Sequence, residues 1–252
     1  MYMRQDELNK RIEEHLERYK NEVLKVEGEG TTVELKDNFI NGSYDLLEKY
    51  YDGDEIKRYG NDLKSSKILG MNLFLPILEN KKLATDFISH ILGREDIGEV
   101  THVQFDKVVN NDVNNSMDLY VEMSSGVRIY FEFTYWEDHF GSFNGDNNHD
   151  LWEKEFSKQV EKSFNLDEIT REEFCKNFRI NRNVSILENK NDYTVFMYPF
   201  ENDPLKERME EFDYENLIEI DLHEILYFIL KRDLTEEEEE YFREFSRKYL
   251  IY

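Results

Sequence analysis

Cysteine is nearly absent. Cys175 stands alone among 252 residues, so no internal disulfide is possible and a reducing compartment fits. Only three prolines and eleven glycines occur, which excludes a long flexible linker. No apolar run is long enough to span a membrane, and no basic-then-apolar leader stands at Met1. The expectation is a folded, soluble, cytoplasmic protein with no membrane partner. Base is scarce as well: 32 Lys and Arg against 56 Asp and Glu give a net charge of −24. Such a surface repels a nucleic-acid backbone, whereas proteins that bind one usually carry a basic face.

Aromatic surface is plentiful, with 18 Phe and 16 Tyr, so a substantial core can form beneath the charge. The acid is unevenly spread. Between Ile56 and Leu78 the charged residues are Lys57, Arg58, Asp62, Lys64 and Lys67. Between Phe174 and Leu187 they are Lys176, Arg179 and Arg182, with no acid. The excess lies in Glu13-Glu14, in 207–213 and in the run 236–240. Two readings stand: a local positive face inside a negative molecule, or scattered solvated charge.

Apolar spacing of three to four predicts helices over 5–26, 62–78 and 84–92, the last closed by Gly93. Alternation and β-branched or aromatic content predict strands over 100–105, 117–123 and 127–135. Helical pattern returns at 150–164 and 170–178. Strands follow at 193–198, stopped by Pro199, and at 217–222. Helices over 222–230 and 235–249 close the chain, with Thr235 as N-cap and glutamates behind it at the positive helix end. The order is α-β-β-β-α-β with helical extensions. The expected division is an extension over 1–55, a core over 56–222 and closing helices over 223–252, all in one compact domain.

The stretch 116–137 carries the chemistry. Asp118 lies in one predicted strand and Glu132 in the next, joined through the turn Ser124-Ser125-Gly126. Two carboxylates on adjacent strands can share one divalent cation. Asp118, Tyr120 and Glu122 share one face, and Glu132 shares its face with Thr134. A lysine at 134 would orient or activate an attacking water; threonine brings no charge, though its hydroxyl can hydrogen-bond a water or ligand. The bland alternative makes both acids ordinary polar positions at strand ends.

Three blocks resemble one bacterial group of restriction endonucleases within the PD-(D/E)XK nuclease superfamily. Leu63-Lys-Ser-Ser-Lys-Ile-Leu-Gly-Met-Asn-Leu-Phe-Leu-Pro-Ile77 is similar to that group's SSQ-x-L-x-x-N-x-F-x-P-L helix. Asp118 through Glu132-Phe-Thr-Tyr-Trp-Glu137-Asp-His-Phe-Gly141 resembles its D…E-x-K-Y-T-E-x-x-F-G. Asn177-Phe-Arg-Ile-Asn-Arg-Asn183, followed by the strand ending in Tyr198-Pro199, resembles N-Y-Q-L-x-R-N and an apolar strand ending in Tyr-Pro. The matches run in order from about 57 to 212. The resemblance implies an α/β, restriction-endonuclease-like αβββαβ core: a mixed central sheet flanked by helices.

It further implies Mg²⁺ or Mn²⁺ at Asp118 and Glu132, with Glu137 a nearby acidic position. Arg179, Arg182, Asn183, Ser65 and Ser66 become candidates for contacting nucleic acid or fixing the site. The departures are three: the motif lysine is Thr134, and two family glutamines are Lys67 and Arg179. Two readings follow: Lys67 or Arg179 stands in for the lost charge, or the site has decayed. The partner is nucleic acid if the site works. If it does not, an acidic binding protein results, for example a nucleic-acid mimic that inhibits a defence system by occupying a basic protein. A homodimer is a further expectation.

Other signals are weaker. His139, Asp146 and His149 fall in an Asn- and Gly-rich stretch that reads as an exposed loop before it reads as a metal site. One cysteine excludes a thiolate zinc site, and Cys175 reads as packing between Phe174 and Phe178. Lys64-Ser65-Ser66 lacks the glycines of a phosphate loop, and 236–240 reads as a solvated helix face.

Overall fold

A computed structural model describes residues 4–51, 53, 56–110, 115–137, 152, 156–163, 166 and 169–251. His139, Asp146 and His149 lie outside the described residues.

Five strands form one mixed sheet in the spatial order β1 (Val100–Asn110), β2 (Asn115–Met123), β3 (Arg128–Phe133), β4 (Asp192–Tyr198) and β5 (Leu217–Asp221). The first two pairings are antiparallel and the last two parallel. Parallel neighbours need crossovers, and these carry helices. Between β3 and β4 run α6 (Ser157–Lys162), α7 (Arg171–Lys176) and α8 (Phe178–Ser185); between β4 and β5 runs α9 (Asp203–Met209). Ahead of the sheet come α1 (Gln5–Tyr19), α2 (Ser43–Tyr50), α3 (Ile56–Tyr59), α4 (Ser66–Glu79) and α5 (Lys81–Leu92); α10 (Leu222–Leu230) and α11 (Glu236–Tyr249) follow it. The expected αβββαβ order with helical extensions is what the chain adopts.

Strand β4 explains why the sheet is covered on both faces. Val195 and Met197 enter a large core with residues of α4, α5, α10, α11 and α1. Phe196 and Tyr198 point the other way, into a smaller core with Phe174, Ile180, Val184, Leu205 and Met209. A strand buried on both sides is apolar on both, which is why 195–198 reads as an unbroken apolar run.

Helix α4 lies against β3 at close range. Phe74 meets the rings of Phe131 and Phe133 at 4.9 and 5.6 Å. At Gly70 a Cβ would come within 2.1 Å of Phe133 Cδ2. Gly70→Ala will therefore force the helix outward and lower stability by about 1–3 kcal/mol, read from the urea midpoint; an unchanged midpoint would show that the contact yields freely.

Some boundaries depart from the sequence pattern. The first helix leaves α geometry at Tyr19, makes a π turn over Lys20–Leu24 and stops at Lys25 (φ 59°), ahead of Gly28. Lys20 is buried there, and its Nζ donates to the carbonyls of Glu29 and Gly30 at 3.3 and 2.9 Å. Strand β1 continues five residues past Phe105. Helices α2, α3 and α9 were not expected; α2 and α9 span eight and seven residues, too short to show a full apolar period.

Candidate active site

The hairpin sets the register. Gly126 has φ 85° and closes the turn, with Gly126 N–H donating to Met123 O (2.8 Å) and Met123 N–H to Val127 O (2.9 Å). Pairing then runs from Glu122–Arg128 to Leu119–Phe131. One step further, where the strands part, that register sets Asp118 opposite Glu132. Parting would leave the Phe133 N–H without a partner, and Asp118 Oδ2 accepts from it at 2.9 Å. The same register on the other side sets Asp106 opposite Asp118, between the pairs Phe105–Leu119 and Lys107–Met117. Three carboxylates thus cross three strands in a row.

Three cations face that row. Lys67, in the first turn of α4, pairs with Asp106 at 2.7 Å. Asp106 adopts φ 51°, a conformation that aspartate tolerates better than most residues. Burial, then the hydrogen bond to Asp106 and its charge, push the Tyr51 phenol up to about 12. Helix α8 supplies the other two, spaced three apart and so on one face. Arg182 Nη2 lies 2.5 Å from Glu132 Oε1, and Arg179 Nε lies 3.8 Å from Oε2. The small core seats this helix through Ile180 and Val184. Asn181 ties it to α7, donating to the carbonyls of Glu173 and Phe174.

The charges act on one another. Burial and the negative charge of Glu132 push the Asp118 carboxyl up to about 7, against the pull of the Phe133 N–H, Arg179 and Lys67. Burial works to lower Arg179, yet Glu132, Asp118 and Glu137 together hold it above its ordinary value. Burial brings Arg182 below its own, with Glu132 opposing. Arg179 therefore feels all three acids of the sequence motif.

The remaining expected residues take different places. Thr134 is buried, its N–H donates to Met197 O at 2.9 Å, and its hydroxyl has no partner among the described residues. Glu137 accepts from Ser66 Oγ and from the N–H groups of Tyr135 and Trp136 at 3.0–3.2 Å. Ser65 caps α4, accepting from Ile68 N–H. Both serines are thus engaged within the protein. Asn183 is wholly buried, and its Oδ1 accepts from Arg182 Nε at 2.9 Å, which holds that arginine in place. Asp106 is the site residue that the sequence reading missed.

A hard dication takes carboxylate oxygens and fills its remaining positions with water or phosphate. Asp118 and Glu132 fit that demand, since two carboxylates that repel each other at a buried strand junction gain from a shared ion. Among the described residues no group of three His, Cys, Asp or Glu side chains is placed to hold one.

A mixed five-stranded sheet between helices, with charged residues gathered where β2 and β3 part, is an α/β fold with a restriction-endonuclease-like core. The chain belongs to the family described as Restriction Endonuclease associating with ARP, whose model matches residues 8–250. No curated protein and no solved structure matches it. Among the described residues no helix is long and apolar enough to cross a membrane.

Proposed function

We propose that this chain is a divalent-metal-dependent nuclease of PD-(D/E)XK type that hydrolyses phosphodiester bonds without the motif lysine. The observation that carries the reading is the opposition of Asp118 and Glu132 at the parting of β2 and β3, with Arg179, Arg182 and Lys67 gathered on them. Asp118 and Glu132 would hold Mg²⁺ or Mn²⁺. When bound, the ion supplies Lewis acidity to the scissile phosphate and its attacking water. Arg179 replaces the lysine: its charge reaches both carboxylates and would stabilise negative charge gathering on the phosphoryl oxygens. Lys67, fixed by Asp106, adds positive potential from the neighbouring helix. The hydroxyl of Thr134, without a partner among the described residues, can hold a water two residues beyond Glu132. Nucleic acid is the substrate class. The family description also names an association with ARP, which this reading extends to the chain.

A second reading, an acidic binding protein without catalysis, draws on a groove of about 530 Å³ in which Glu79, Glu237, Glu238, Glu240 and Glu244 stand beside apolar walls that include Leu46, Pro76 and Tyr241. A basic partner would fit it, and its binding would weaken steeply with salt.

Cleavage of plasmid, single-stranded DNA and RNA in Mg²⁺ or Mn²⁺ separates the two, with Thr134→Lys run beside wild type. Wild type is expected to cut, and chelation to stop it. Cutting by Thr134→Lys alone would mean a sound scaffold whose charge is not replaced. Silence in both would sink the nuclease reading on these substrates.

A further inference from the structure

Both oxygens of Glu132 face guanidinium groups, Arg182 at 2.5 Å and Arg179 at 3.8 Å. The Glu132 side chain is 4% exposed and that of Arg182 12%. Arg182 is held rather than laid loosely across the site. Its Nε donates to the buried Asn183, and its Nη2 also reaches Ser116 O at 3.5 Å. Asp118 is held differently. The contact on its Oδ2 is a backbone N–H, and part of its surface stays open. In this state Asp118 can receive a cation, and Glu132 cannot do so until a guanidinium leaves. A dication and a guanidinium compete for the same carboxylate lone pairs. A phosphodiester alters that competition, because it offers the arginine fork an anionic acceptor of matching geometry. Arg179, with 31% of its side chain exposed, is the first of the two such a phosphate would meet.

We infer that Arg182, with Arg179, neutralises Glu132 while no nucleic acid is bound and transfers to a substrate phosphate when one arrives, so that ion and phosphodiester bind as a coupled pair. The inference rests on the nuclease reading above. It makes Arg182 a positioning residue and Asn183 its anchor. Coupling of this kind is reciprocal: what the strand does for the ion, the ion does for the strand.

The test is Mn²⁺ binding to the full chain, followed by the paramagnetic signal of the free ion, with and without a short phosphorothioate strand of DNA or of RNA. Wild type is expected to bind Mn²⁺ about tenfold or more tightly once a strand is present. Arg182→Gln is expected to bind Mn²⁺ with that higher affinity and no strand, and Asp118→Asn to remove binding from both. Should Arg182→Gln fail to fold, the wild-type comparison decides alone. Equal Mn²⁺ affinity with and without either strand, still lost in Asp118→Asn, would overturn the exchange and leave the metal site standing. No Mn²⁺ bound by any form under any condition would overturn the exchange and the nuclease reading together.

Discussion

Asp118→Asn will abolish cleavage, by on the order of 10⁴-fold, and will also make the metal-free protein harder to unfold at about pH 8. Loss of activity follows from removing one of the two carboxylates proposed to hold the ion. The gain in stability follows from the electrostatics. Asp118 titrates at about 7 in the folded chain against an ordinary 3.8, because burial and Glu132 disfavour its charged form. Between those values the unfolded chain has released the proton and the folded chain retains it. Stability therefore falls as pH rises through the window, by about 1.4 kcal/mol per pH unit, and levels off above about 7. Asparagine carries no charge, and its carbonyl oxygen can still accept from Phe133 N–H. Urea unfolding of both proteins should give curves that converge toward pH 4 and separate with rising pH, the variant being the more resistant. Saturating Mn²⁺ should narrow the gap by stabilising wild type alone, by about 2.7 kcal/mol at a hundred times its dissociation constant. A variant no more stable than wild type at about pH 8 would show that Asp118 carries no unfavourable charge.

Arg179→Ala will cost about 10²- to 10³-fold in kcat at saturating metal, the usual effect of removing one preorganised group that stabilises transition-state charge. Glu132, Asp118 and Glu137 all act on Arg179. Lys67 is tied to Asp106, and Arg182 is fixed between Asn183 and Glu132. Adding Thr134→Lys to Arg179→Ala should recover part of the loss, since it places an ammonium two residues beyond Glu132, where the motif lysine would stand. The same substitution should recover nothing when Glu132 is alanine. Recovery there, or a loss in Arg179→Ala of less than about threefold, would remove Arg179 from the lysine's role.

The strands were legible because β2 and β3 are short, alternating and joined by Ser-Ser-Gly, which fixes the register and with it the opposition of Asp118 and Glu132. The order of elements followed from that hairpin and from the apolar run of β4. Asp106 was not legible: it sits in a polar stretch, Asp106-Lys107, that ends the alternation, while the strand continues through pairing with 115–117. The partner of Lys67 stayed hidden for the same reason. Arg179 and Arg182 could be picked out as an acid-free cluster, but sequence spacing does not reveal that α8 lays them on Glu132. Asn183 reads as a polar position near nucleic acid and proves buried, because a carboxamide behind an arginine looks the same in sequence as one before a phosphate. For Ser65 and Ser66, the helix cap was the part that spacing could have told.

The two cores on opposite faces of the sheet have a bearing on how the site is maintained. The carboxylates belong to strands rooted in the large core, whereas both arginines ride on a helix seated by Phe174, Ile180, Val184 and their neighbours. The acids and the two arginines thus sit on separate packing units, each of which can loosen on its own account. The cohesion that seats the smaller unit on the sheet is also what keeps guanidinium opposite carboxylate. An apolar substitution deep in that unit is then felt, at a distance, as a change in the local field around Glu132.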